Sequence, residues 1–115
     1  MIQAYQIRPR PGSYLRGKPV RNERYLAFIR RFACAACGSA RLVEAAHFGP
    51  HGLGQKAPDA DALPLCIHCH RLDGDSLHNV GPEQFASDHA LNVPKLIARY
   101  NAAWIAYQLR RDGVQ

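Results

Sequence analysis

The chain is short of several things, and each shortage excludes something. Among its 115 residues there is one tryptophan, one methionine and four cysteines. No run of about eighteen apolar residues occurs, so no membrane-spanning helix is expected. The opening stretch MIQAYQIRPRPG lacks an apolar central segment, so no secretory leader is expected either. A cytosolic setting follows as the default, and there a few cysteines suit metal ligation better than disulfides. Internal repeats and low-complexity tracts are missing, which excludes solenoids and fibrous arrays. At this length a single small domain is expected, with a core modest enough to gain from a structural metal.

Acid is scarce where base is plentiful. Residues 1–31 hold eight of the fifteen basic residues and one acid, Glu23. Residues 32–115 are close to neutral, so the formal charge of +6 belongs to the N-terminal end. Such a concentration suggests a polyanionic partner, most simply DNA, although a solubilising tail has the same composition. Residues 1–21 mix arginines with Pro9, Pro11, Gly12, Gly17 and Pro19, and read as an extended arm. A single domain is expected over 22–115. Its first helix is expected over 22–32, with Asn22 as cap and Tyr25, Phe28, Ile29 and Phe32 on one face. Arg24, Arg30 and Arg31 fall on the other face and are candidate DNA contacts.

Further along, a strand is expected within 42–48, then a Gly- and Pro-rich loop, then a short strand over ALPLC. IHCHRLD reads as the start of a helix that stops near Gly74. Two more helices are expected between 82 and 111. Pro82 opens the first, and Asn92 with Pro94 opens the second.

Two pairs, Cys34-x-x-Cys37 and Cys66-x-x-Cys69, form knuckles that together supply four thiolates. Four thiolates close a tetrahedral shell around Zn²⁺ and leave no open position, so this metal is expected to be structural. Redox pairs or buried free thiols are the plainer alternatives. Twenty-eight residues, 38 to 65, separate the knuckles, more than a simple zinc ribbon needs. That insert carries His47, His51 and Asp61. His70 follows the last cysteine, and on a helix beginning near Ile67 it points away from the zinc. His78 lies downstream and can curl back. His68 reads as a solvent-facing bystander and His89 as a surface or capping histidine. Glu44 lies too far back along the strand to be given a role, and by alternation it shares a face with Ala46 rather than His47.

EAAHFGPHGLGQKAPDADALPLCIHCH resembles the HNH signature of the ββα-metal nucleases. His47 matches the histidine at the strand end, Asp61 stands at the Asn position, and His70 matches the histidine after the second knuckle. Ala46 departs from the pattern, since many members carry a ligand there. A narrower resemblance, over about 20–90, is to phage and prophage proteins similar to the RecA-dependent nuclease Ref. It rests on the basic helix, AAH, GLGQK, PLC and SLHNVGPEQF, with His78 as the later histidine.

The resemblance implies a small α+β fold: a zinc-stapled ββα-metal, treble-clef-like core over 33–80, with flanking helices and the basic arm. It implies a DNA endonuclease with His47 as general base. Asp61, His70 and His78 would hold a catalytic Mg²⁺, Mn²⁺ or other divalent ion. His51, Gln55 and Lys56 would approach phosphate from the glycine-rich loop. A recombinase filament is implied as a further partner, and a membrane is not. The rival expectations are a DNA-binding zinc module without catalysis and an adaptor for another protein.

Overall fold

The computed structural model describes residues 21–48 and 58–112. The arm over 1–20 and the loop residues His51, Gln55 and Lys56 lie outside the described residues. The fold is a small α+β arrangement, with a two-stranded sheet and four α-helices among those residues.

Helix α1 spans Glu23–Ile29. Asn22 caps it, its side-chain oxygen accepting from the Tyr25 N–H at 3.0 Å. Tyr25, Leu26, Phe28 and Ile29 are buried, while Arg24, Arg30 and Arg31 are exposed. The helix stops short of residue 32 because its last turn tightens. The Arg31 and Phe32 N–H groups reach back only three residues, to Phe28 and Ile29. The chain then enters the first cysteine knuckle. Gly38 closes that knuckle at φ +82°, a left-handed conformation that glycine adopts without strain.

Strand β1, Val43–His47, pairs antiparallel with β2, Ala62–Cys66. His47 lies opposite Ala62 and Glu44 opposite Leu65. All five residues of β2 are buried. Strand alternation gives the hairpin two working faces. On one, Ala46, Leu63 and Leu65 pack with Cys34, Phe48, Leu77 and Phe85. On the other, Ala45 packs near Tyr25, Phe28 and Trp104.

After β2 the chain makes a wide π-helical turn over His68–Leu72 and returns across the first face. There follow α2, Leu77–Val80, and α3, Pro82–Asp88. Pro82 sits in the first turn of α3, where its missing N–H costs nothing. Helix α4, Val93–Arg111, is the longest element, capped by the Asn92 side chain on the Lys95 N–H at 3.1 Å. It lies on α1 through rings. Trp104 stands edge-on to Tyr25 at 5.6 Å between centroids and tilted on Phe28 at 5.1 Å. Such pairs contribute about 0.5–1.5 kcal/mol each beyond their buried area. No helix among the described residues is long and apolar enough to cross a membrane.

Candidate metal centre and the paired histidines

The two knuckles converge. The sulfurs of Cys34, Cys37, Cys66 and Cys69 all lie within 4.8 Å of one another. Cys34 leaves the end of α1 and Cys66 ends β2, so closing the hairpin brings the two pairs together. The Cys37 N–H points at the Cys34 sulfur at 3.4 Å, as a knuckle turn requires. Cys37 and Cys66 have sulfurs 3.7 Å apart. Four thiolates at about 2.3 Å from a tetrahedral zinc would have edges of about 3.8 Å, so the spacing fits one such ion. The thiols are free. Burial works against ionising Cys34, but the N–H groups of Cys37, Cys66 and Ala36 outweigh it and bring that thiol down to about 7. Burial and the Cys34 sulfur push Cys69 up. A set in which one thiolate raises its neighbours is a set that a cation would stabilise. Among the described residues, these four cysteines are the one group of three or more metal-type side chains gathered this tightly.

His70 does turn away from the sulfurs. Its Nδ1 lies 2.7 Å from the Glu44 Oε1. Arg71 grips the same carboxylate twice, Nε to Oε1 at 3.1 Å and Nη2 to Oε2 at 2.9 Å. The Arg71 guanidinium holds the Glu44 carboxyl down at about 2, with His70 helping. Glu44 is therefore an acceptor only at neutral pH, and the His70 Nδ1 must be the donor. Burial keeps the His70 imidazole below its ordinary range, against the pull of Glu44. A neutral ring that donates from Nδ1 has its lone pair on Nε2. That Nε2 lies 3.1 Å from the Nε2 of His78, with the rings edge-on. His78 has curled back from α2 to meet it.

His47 is engaged elsewhere. Strand parity turns it to the opposite face from Glu44, toward α1. Its Nε2 lies 2.8 Å from the Oδ1 of Asp59, which also accepts from Arg21 at 2.9 Å. The other Asp59 oxygen takes the Asn22 N–H at 2.6 Å. Burial alone would raise the Asp59 carboxyl, but these three donors outweigh it and hold it below its ordinary range.

The grouping of Asp61 with His70 and His78 around one ion is not what the structure presents. Asp61 closes a 3₁₀ turn over Asp59–Asp61, with its N–H on the Pro58 carbonyl and its own carbonyl on the Phe48 N–H. It does not gather with the two histidines. His68 is exposed and faces Asp73 at 3.1 Å, and His89 caps α3 through the Phe85 carbonyl at 3.0 Å. Two residues without a sequence-based role therefore enter the site, Glu44 and Asp59. For Glu44 a signal existed, because alternation puts it on the sheet face that the returning chain covers. Asp59 sits two residues from Asp61 in PDAD, and the turn alone decides which of the two points inward.

Comparison with known proteins gives no match: no protein-family model, no curated protein and no solved structure matches this chain.

Proposed function

We propose that the protein is a metal-dependent endonuclease that hydrolyses DNA phosphodiester bonds on a ββα-metal plan. One observation carries the reading: the Nε2 atoms of His70 and His78 meet at 3.1 Å, with the Glu44 carboxylate behind His70. A carboxylate on the far nitrogen of a histidine is the arrangement that orients metal-binding imidazoles. The order of elements supports it, with two antiparallel strands and then a helical segment laid over one face of the hairpin.

In this reading the four cysteines hold a structural Zn²⁺ that pins the turn bearing His70. His70 and His78 would hold a second divalent ion, Mg²⁺, Mn²⁺ or another. That ion supplies Lewis-acid stabilisation of the charge that develops on the phosphate. Asp61 has no ligand role. His47 lies on the opposite face of the hairpin from this pair, held by Asp59, and takes no step at the ion.

The test is nicking of supercoiled plasmid with Mg²⁺ or Mn²⁺. The intact protein should nick it, and His70→Ala and His78→Ala should each slow nicking by about 100-fold or more. A second reading is a zinc-stabilised DNA-binding or adaptor module, in which the His70–His78 contact is a plain hydrogen bond. It is favoured by the four cysteines being the one tight ligand group among the described residues. No nicking under either metal by a folded, DNA-binding protein would favour that module and overturn the nuclease.

A further inference from the structure

The face formed by α1 and α4 carries a feature that hydrolysis does not use. Arg24, Ala27, Phe28 and Arg31 recur at helical spacing along α1 and just past its end. Trp104, Tyr107 and Arg111 recur at the same spacing on α4. The two stripes face each other across a cavity of about 210 Å³. No acid lines it.

Arg31 lies over the Tyr107 ring at 5.1 Å, and Arg111 lies near the same ring at 5.9 Å. Trp104 and Tyr107 are stacked, 21° from parallel at 5.8 Å. Neither arginine forms an ion pair with a carboxylate among the described residues, and nor does Arg24. Three cations gathered at one cavity repel one another. Packing of α1 on α4 needs the rings but not these charges. An aromatic floor under an acid-free set of guanidiniums is suited to a ligand that is both planar and anionic.

We propose that this groove binds a segment of single-stranded nucleic acid. One base rests against Trp104 and Tyr107, and the flanking phosphates pair with Arg24, Arg31 and Arg111. A duplex keeps its bases inside the stack and offers the groove phosphates alone, so the rings select for a strand with an accessible base. The inference stands whether or not the chain hydrolyses DNA.

Trp104 is the single tryptophan of the chain, so its emission reports on this groove and the adjoining cavity beside Asn101, and an arginine variant assigns the change to the groove. The experiment titrates the full-length protein with an oligothymidylate of about 15 nucleotides. It is repeated with a duplex of equal length and with an abasic oligonucleotide. The expected result is saturable quenching by oligothymidylate, with weak quenching by the other two. The triple variant R24Q/R31Q/R111Q should bind about tenfold or more weakly, with a salt dependence shallower by about 2 in log–log slope. Nothing in these three exposed positions is needed for the core, and its melting curve serves as the folding control. Arg99→Gln, which removes an exposed cation of the same helix outside the groove, should bind and quench as the parent does, and quenching is read independently of nicking. Three results would each overturn the proposal: binding with unchanged Trp104 emission, unweakened binding by the triple variant, or equal quenching by the duplex.

Discussion

Asp59 holds an ionised carboxylate with 1% of its surface exposed, and its cost is met by three donors from two directions. Arg21 and the Asn22 N–H come from the start of α1, and His47 comes from the end of β1. The carboxylate thus joins the first helix to His47 at the end of the first strand. Asp59→Asn removes the charge and puts an amide N–H₂ where acceptors are needed. The expected loss is about 2 kcal/mol, read as a melting temperature lower by about 10 °C. The pH dependence follows from the depressed folded-state value. Asp59 contributes stability fully above the unfolded value of about 3.9, and loses it as pH falls through the lower folded value. Asp59→Asn should therefore flatten part of the acid limb of the parent. An unchanged melting temperature and acid limb would mean that the network is incidental. Residues such as this one are barely legible in a sequence. Two aspartates stand two apart in PDAD, and family resemblance favours Asp61. Which one turns inward depends on a single 3₁₀ turn. Glu44 was more legible, since parity alone places it beside Ala46. The residue that completes its role, His70, arrives from 26 positions away.

At the scale of elements, amphipathic spacing and caps were enough to place α1, α3 and α4, whereas the short α2 over Leu77–Val80 was not expected. Asn22 and Asn92 cap α1 and α4, and Pro82 opens α3. The turn after β2 was less legible. IHCHRLD reads as an ordinary helix, yet the Asp73 N–H reaches back five residues to the His68 carbonyl. The wider turn satisfies two demands at once: Cys69 joins the sulfur group while His70 faces Glu44. A structural ion at the sulfurs would hold that compromise in place. It would tie the exit of α1 to the end of β2 in a chain whose sheet has only two strands among the described residues. A two-stranded hairpin is marginal without such support. Removal of the metal with a strong chelator should therefore unfold the protein cooperatively, as shown by loss of near-ultraviolet dichroism. Returning one equivalent of Zn²⁺ should restore the signal. Structural zinc contributes on the order of 10 kcal/mol in small domains, so partial softening is not the expected outcome. A metal-free protein with an unchanged melting curve would remove the zinc staple from the account.

Across the whole molecule, charge and chemistry are segregated. The sulfur group and the His70–His78 pair belong to one side of the hairpin, and α1 with its arginines lies against the other. The arm carries four more cations, Arg8, Arg10, Arg16 and Lys18. The N-terminal excess of cations was fully legible, because counting charges needs no fold. What counting does not show is that α1 and α4 gather Arg24, Arg31 and Arg111 at one cavity. The two sets of cations should act differently on DNA. Deleting residues 1–20 removes four cations but keeps Arg21, which anchors Asp59. If each contacts a phosphate of duplex DNA, the slope of log affinity against log salt becomes shallower by about 3–4. Affinity at low salt falls with it, uniformly across sequences, since phosphate contacts carry no base information. The groove responds to the form of the DNA instead. The truncated protein should therefore keep a preference for single strands while losing most of its duplex affinity. Binding measured on both forms at several salt concentrations, with the truncated melting curve as control, decides it. An unchanged duplex slope after truncation would show that the arm's charge is not used on DNA. Parallel loss on both forms would show that the arm, rather than the α1–α4 groove, makes the single-strand contacts.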